Sequence, residues 1–132
     1  MKQIVLICLL SLSLFGLTKG DKLDDKSIKT LNLKSDTIYV VDFFASWCRS
    51  CKKELPLIVK LNDSIDKTKY KIIGVDIDKE KKAGQSFQKQ MAVNFTVIND
   101  DKNTLVGAFA PVGIPALYFI KNSVIIRDIW GS

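Results

Sequence analysis

Apolar residues in this chain fall into short runs, separated by stretches in which apolar positions recur at helical spacing. Two runs rich in β-branched and aromatic residues, Thr37–Phe44 and Tyr70–Ile77, are typical of strands buried on both faces of a sheet. Between them, Ser50–Asn62 has apolar residues three or four positions apart, which predicts a helix with Pro56 as a kink inside it. The first half of the chain is therefore predicted to contain a strand–helix–strand unit.

The same patterning continues along the second half of the chain. Lys79–Met91 predicts a polar helix with one apolar face, and Thr104–Phe109 predicts a shorter helix. Further runs of strand-forming residues are bounded by turn-forming residues. They predict a third strand at Phe95–Ile98, and a hairpin made of Ala116–Ile120 and Val124–Trp130 around the turn Lys121–Ser123. Strands that alternate with helices and end in a hairpin predict an α/β domain, with a mixed central sheet flanked by helices.

The first 20 residues differ from the rest of the chain. Lys2 precedes a nearly unbroken apolar run, and small residues follow that run, which is the layout of a secretory signal. The run is short for a bilayer span, and the sequence leaves open whether residues 1–20 are cleaved or are kept as a membrane anchor. We therefore predict an exported protein, periplasmic or otherwise extracytoplasmic, whose folded domain is formed by residues 21–132.

The stretch that follows this leader carries weak structural signals. Residues 21–27 are polar and are expected to be loose. Ile28–Leu33 is expected to form a short edge strand. The main sheet is thus predicted to begin with the strand at Thr37.

The composition is that of one globular domain with a solvated, basic surface. A chain of 132 residues with 47% apolar residues can bury a single core and is too apolar to be disordered. The formal net charge is +6, but the lysines are interspersed with acids, so no nucleic-acid-binding stripe is expected. The chain has no histidine, which excludes histidine-based triads, proton shuttles and histidine-ligated zinc.

Cys48 and Cys51 lie three residues apart in the stretch FFASWCRSCKKELP, whereas Cys8 is an apolar residue of the leader. A zinc site would need two further soft ligands, and a disulfide across two intervening residues closes too small a loop to constrain the unfolded chain much. The pair lies where a predicted strand ends and a helix begins, so the unpaired N–H groups and the dipole of the helix would stabilise a thiolate at Cys48. The thiolate is the species that attacks a disulfide, and the spacing therefore favours thiol–disulfide exchange.

Three stretches of the chain resemble a known family: Val41–Pro56 with the string WCRSCKKELP, Ile73–Asp78 (IGVDID) and Gly113–Ala116 (GIPA). In order and spacing, the chain is similar to thioredoxin-fold thiol–disulfide oxidoreductases, and most of all to their exported TlpA/ResA-like branch. The resemblance implies a thioredoxin-like fold. It also implies an enzyme that reduces or exchanges the disulfides of exported proteins.

The resemblance assigns roles to residues of these stretches. It makes Cys48 the nucleophile and Cys51 the resolving thiol of a redox-active disulfide. It places a peptide-binding edge at Trp47, Ile114 and Pro115, with a cis Ile114–Pro115 bond; such a proline donates no backbone hydrogen bond and leaves its neighbour free to pair with an extended substrate. No bound cofactor or metal is expected. The implied partners of this expected monomer are protein thiols and disulfides, and an upstream thiol electron donor such as a membrane-embedded transporter.

Two acidic residues are candidates to accept the proton that Cys51 must lose. Asp42 lies in the middle of an apolar strand, where burial disfavours its charge and should raise its pKa. Glu54 lies three residues after Cys51 and so shares its helix face. In the resemblance, Asp42 matches the buried aspartate of thioredoxins and Glu54 the glutamate of the ResA-like branch, while the lysine that accompanies that aspartate is replaced by Gly74. We predict that the two carboxylates titrate as a coupled pair, one of them protonated near neutral pH.

Two other functions are compatible with parts of this pattern. A peptide-binding module with an idle disulfide is the alternative to an enzyme, although the intact cysteine pair beside Trp47 and nearby acids favours activity. A peroxidase of the related peroxiredoxin group would need a Thr-x-x-Cys site, and Ser46 lies two residues before Cys48. That pattern is not met.

Members of the resembled branch usually continue past their final strand into a helix that packs on the sheet. This sequence stops at Ser132, where that helix would begin, so the C-terminal helix of the predicted fold is expected to be missing. One side of the last strand would then be uncovered, which favours association. The apolar residues concerned are Ile125, Ile126, Ile129 and Trp130.

Overall fold

The computed structural model describes residues 16–131, which fold around a five-stranded mixed sheet. In the spatial order β3-β2-β1-β4-β5, the strands β1, β2 and β3 pair in parallel, and β4 runs antiparallel to both β1 and β5. The strands are β1 (Ile38–Phe44), β2 (Tyr70–Asp76), β3 (Thr96–Asn99), β4 (Ala116–Lys121) and β5 (Val124–Trp130). The helices are α1 (Asp25–Leu31), α2 (Arg49–Ser64), α3 (Lys81–Gln90) and α4 (Thr104–Phe109). The predicted α/β class with a mixed sheet is confirmed, and α2 continues through Pro56.

The sheet is buried on both faces around its central strand. Every residue of β1 after Ile38 is buried, as its continuous apolar run predicts. Because side chains alternate along a strand, Val41 and Phe43 pack in the core cluster shared with α1 and α4, where Phe43 lies 5.0 Å from the ring of Phe109. Phe44 points to the other face and packs against α2 and α3. A layer of helices on each side therefore fixes β1 and the segment that follows it.

The segment before β1 differs from the prediction. Residues 20–23 are not loose but pair with the start of β5, and the chain then forms α1. Asp24 caps this helix by accepting a hydrogen bond from the Ser27 amide at 2.7 Å, and Asn32 ends it in the left-handed region with φ of 54°. The strand predicted at Ile28–Leu33 is therefore wrong, because the two caps favour a helix over a short extended run.

Most of the predicted leader, residues 1–15, lies outside the described residues. Residues 16–20 are described and contact the domain: the Leu17 amide donates a hydrogen bond to the Phe109 carbonyl at 2.9 Å, and the Leu17 side chain packs against the core. Within residues 16–131, no helix is both long and apolar enough to cross a membrane. The division of the chain at residue 20 stays a prediction.

The last strand has partly exposed apolar residues, with one departure from the expectation. Ile126, Ile129 and Trp130 keep 40%, 38% and 40% of their surface exposed. Ile125 is instead fully buried, because it pairs with Ile120 and packs in the same core cluster. The expectation is therefore wrong for Ile125, and the expectation of a missing C-terminal helix stays a prediction.

Gly84 in α3 packs directly against a buried carboxylate. A Cβ at this position would lie 2.7 Å from Oδ2 of Asp76, which is almost fully buried at the end of β2. We expect Gly84→Ala to lower the free energy of unfolding by about 1–3 kcal/mol, because overpacking pushes the helix away from the sheet. Gly107→Ala in α4 is the matched control: its Cβ would meet nothing within 4 Å, so stability should stay the same or rise slightly. Urea denaturation of both variants checks this, and equal losses at the two sites would contradict it.

Candidate active site

Cys48 and Cys51 form a disulfide at the N-terminus of α2, with 5.2 Å between their Cα atoms. Cys48 is the N-cap residue of the helix, and its Sγ accepts a hydrogen bond from the Cys51 amide at 3.2 Å. Cys48 keeps 7% of its surface exposed, whereas Cys51 is fully buried. Since the first N–H groups of a helix have no partner within it, they can stabilise a thiolate at Cys48 once the disulfide is reduced.

A loop from the far end of the chain lies against Cys48. The carbonyl oxygen of Ile114 is 3.7 Å from Cys48 Sγ, and the Ile114–Pro115 bond is cis, as the resemblance implies. Trp47 directly precedes Cys48 in the chain and is 68% exposed. Its ring forms one wall of a shallow groove of about 470 Å³, whose other walls include Ile77 of the β2–α3 connection. Of the residues assigned to a peptide-binding edge, Ile114 therefore lies against the Cys48 sulfur, and Trp47 lines a groove that neither Ile114 nor Pro115 lines.

Asp42 of β1 and Glu54 of α2 form a pair of neighbouring carboxylates. Asp42 is fully buried in the middle of β1, and Glu54 is half-buried on α2, one turn after Cys51. None of the four carboxylate oxygens has a hydrogen-bond partner among the described residues, and the two groups interact with each other. Burial, and then the neighbouring Glu54, raises the pKa of Asp42 well above its usual value. Burial also raises the pKa of Glu54.

The space around Gly74 leaves no room for a lysine beside Asp42. Gly74 lies beside Asp42 in the register of β1 and β2. A Cβ at Gly74 would lie 2.8 Å from a ring carbon of Phe44 and 3.0 Å from one of Phe95. These rings occupy the space that a longer side chain would need. The neighbour of Asp42 is instead the acid Glu54, which helps to raise the pKa of Asp42.

A second group of buried acids lies at the end of β2, where sequence reasoning assigned no role. Asp78 is 6% exposed and accepts hydrogen bonds from the amide and the hydroxyl of Ser46, at 2.9 and 2.6 Å. Asp76 is 1% exposed and accepts from the Asp78 amide at 3.0 Å and from Gln88 Nε2 at 2.9 Å. Burial, and then Asp78, raises the pKa of Asp76 to about 6. The pKa of Asp78 is lowered, because its hydrogen bonds with Asp76 and Ser46 outweigh its burial. The available sequence signal was a pair of aspartates two residues apart at the end of a buried strand.

Comparison with known proteins agrees with this architecture. The AhpC/TSA family matches residues 13–129. The thiol-disulfide oxidoreductase ResA of Bacillus cereus is 27% identical over 111 residues, which cover 83% of this chain and 64% of ResA. The chain thus spans a little under two thirds of the length of that relative.

Solved structures show the same arrangement of strands and helices. A putative thiol:disulfide interchange protein DsbE from Chlorobium tepidum is similar with a TM-score of 0.75 and 24% identity, over 87% of this chain and 86% of that protein. StoA from Bacillus subtilis is similar with a TM-score of 0.68 and 22% identity, over 74% of this chain and 76% of StoA. These likenesses show that the fold is thioredoxin-like.

Proposed function

Since the chain belongs to the AhpC/TSA family, we propose that it is a TlpA/ResA-like thiol–disulfide oxidoreductase, which reduces or exchanges disulfides of exported proteins. The observation that carries the proposal is the Cys48–Cys51 disulfide at the start of α2, with Cys48 as the more exposed sulfur. Its similarity to ResA supports the same activity.

The exchange proceeds in two displacements at sulfur. In the reduced protein, the Cys48 thiolate attacks one sulfur of a substrate disulfide, which forms a mixed disulfide and releases the other substrate sulfur as a thiolate that takes up a proton. Cys51 then loses its proton and attacks Cys48 Sγ, which restores the Cys48–Cys51 disulfide and releases the second substrate thiol. Two electrons have then moved to the substrate, and an upstream thiol donor must reduce the pair again.

The resolving step needs a base, and we assign this role to the Asp42–Glu54 pair, because Glu54 lies one turn after Cys51 on α2 and interacts with Asp42. Cys51 is fully buried, so its thiolate is not favoured by water. A carboxylate whose pKa is raised is a stronger base than an ordinary one and takes a thiol proton more readily. The pair holds one proton more easily than it holds two negative charges, because both groups are shielded from water.

Substrate binding is assigned to the surface around Cys48. The Ile114 carbonyl lies next to the sulfur, and Pro115 directly after it carries no N–H. An extended substrate can therefore pair with the backbone before the proline, while its side chains contact the exposed ring of Trp47. This mode recognises polypeptide backbone near a disulfide, so protein disulfides and thiols are the partners that it fits.

The reactivity of Cys48 tests the proposed function. In the reduced protein at neutral pH, we expect Cys48 to be alkylated at least about threefold faster than the thiol of an unstructured peptide, because the helix N-terminus lowers its pKa. Mass spectrometry of the labelled peptides distinguishes Cys48 from Cys8 and from the buried Cys51. A rate equal to that of the peptide thiol would refute the enzyme proposal and would favour a peptide-binding module with an idle disulfide.

A further inference from the structure

We propose that Ser46 and Asp78 form a clamp that holds Cys48 in place for thiol–disulfide exchange. In this proposal both are positioning residues, and the Ser46–Asp78 clamp acts through the turn that leads into α2. The inference rests on the proposed function, since it concerns the geometry of the same sulfur.

The clamp uses both oxygens of one buried carboxylate. Oδ2 of Asp78 accepts from the Ser46 amide at 2.9 Å, and Oδ1 accepts from the Ser46 hydroxyl at 2.6 Å. Hydrogen bonds to an ionised acceptor are stronger than those between neutral groups, and two of them fix an orientation as well as a distance. Ser46 is thereby tied to a residue that lies 32 positions away in the chain.

Ser46 occupies the middle of a tight turn that places the nucleophile. The Cys48 amide donates to the Ala45 carbonyl at 3.2 Å, which closes the turn around Ser46. Cys48 itself is the N-cap of α2, and its Sγ must stay in line with the Cys51 amide for the helix to stabilise a thiolate. A restraint on Ser46 is therefore a restraint on the position of Cys48 Sγ.

The other end of the clamp is anchored in the sheet and in α3. The Asp78 amide donates to Oδ1 of Asp76, whose Oδ2 accepts from Gln88 Nε2. Gln88 also donates to Oδ1 of Asn99 at the end of β3, at 2.8 Å. Hydrogen bonds thus run from α3 and β3 to the active-site turn. A network of hydrogen-bonded polar groups that includes the buried Asp76 and Asp78 restrains the residues it joins, so it can hold the turn.

The sign of the charge also argues for a geometric role. A carboxylate close to Cys48 disfavours the negative charge of a thiolate, so Asp78 does not help exchange by its charge. Both of its oxygens instead accept hydrogen bonds from Ser46, two positions before Cys48. Asp78 therefore contributes to exchange by holding Cys48 in position, and not through the electric field of its charge.

Ser46→Ala tests the clamp while it keeps the charge of Asp78. We expect reduced Ser46→Ala to be alkylated at Cys48 roughly threefold more slowly than the wild type at neutral pH, because the loss of one charge-assisted hydrogen bond loosens the turn. The ultraviolet titration of the Cys48 thiolate should move to higher pH. Ser46→Thr keeps the hydroxyl and should restore both values. In an Asp78→Asn background, Ser46→Ala should have little further effect, because the clamp is already broken.

Asp100→Asn provides a matched control for a purely structural effect. Asp100 is 5% exposed and accepts hydrogen bonds from the amides of Leu105 and Val106 at 2.9 and 2.8 Å, so it is as buried and as fully engaged as Asp78. It caps α4 and does not bond to the active-site turn. Asp100→Asn should lower the melting temperature and leave the alkylation of Cys48 unchanged.

The outcomes separate the clamp from the proposed function. The wild-type alkylation rate, compared with a peptide thiol, tests the proposed function, and the ratio of Ser46→Ala to the wild type tests the clamp. If Ser46→Ala lowers the melting temperature but alkylates at the wild-type rate, the contact is structural and the clamp is refuted. Additive effects of Ser46→Ala and Asp78→Asn on the thiolate titration would refute it as well.

Discussion

Cys51→Ala is expected to reduce the turnover of a protein disulfide to background while Cys48 keeps its reactivity. Cys48 is the more exposed cysteine at the start of α2 and is the proposed nucleophile, but without a second thiol the mixed disulfide could not be resolved from within the protein. The substrate should therefore stay attached. Non-reducing electrophoresis and mass spectrometry should show one substrate chain bound through Cys48.

Two variants control this experiment. Cys48→Ala should trap no substrate, because the remaining thiol of Cys51 is buried. Cys8→Ala should behave like the wild type, since Cys8 belongs to the predicted leader and not to the pair. Steady turnover by Cys51→Ala would show that resolution does not need Cys51, and the two-step exchange would have to be abandoned.

Asp42→Asn and Glu54→Gln are expected to slow resolution by at least about tenfold at neutral pH, because a positioned base contributes on this scale or more. Each variant removes one of the two carboxylates that share a raised pKa beneath α2. The pH dependence of the resolving step should move in both variants, since the remaining acid no longer titrates against a partner. Stopped-flow release of the substrate from the mixed disulfide measures that step directly, and the proposal fails if neither profile moves.

Stability measurements separate proton transfer from damage to the fold. The folded pKa of Asp42 is raised, so between its unfolded and folded values the native state binds more protons than the unfolded state, and stability falls as the pH rises through that window. Asp42→Asn removes this loss and should therefore raise the free energy of unfolding at neutral pH. A variant that is more stable yet resolves more slowly has lost a base. Glu54→Gln should gain less, because Glu54 is only half-buried.

The central strand β1 and the helix α2 could be predicted from the local pattern of apolar residues, whereas α1 could not. The strand predicted at Thr37–Phe44 and the helix predicted at Ser50–Asn62 agree with β1 and α2, because a continuous apolar run and a helical period each permit one favourable burial. The region of α1 has a short apolar pattern that is compatible with either a strand or a helix. Its outcome depends on the caps at Asp24 and Asn32, whose geometry is decided together with the helix.

The residues of the candidate site also fall into two groups, those that the local sequence predicts and those that depend on distant contacts. Motif spacing is enough to place Cys48, because the sulfur lies at the junction of two elements that are contiguous in the chain. The acid pair was predicted from the buried strand and the helix face. The role of Gly74 could not be seen in this way, because it depends on two aromatic rings that come from β1 and from the turn before β3.

The sequence by itself determined that Cys48 lies at the start of a helix, because a strand, a turn and a helix that follow one another leave the sulfur no other position. The tertiary structure alone decided which distant groups meet it. The register of β1 with β2 and β4, and the packing of α2 and α3 on the sheet, place Ile114 against Cys48 and Asp78 under Ser46. Such contacts join residues far apart in the chain, so strand order and register, rather than local composition, select them.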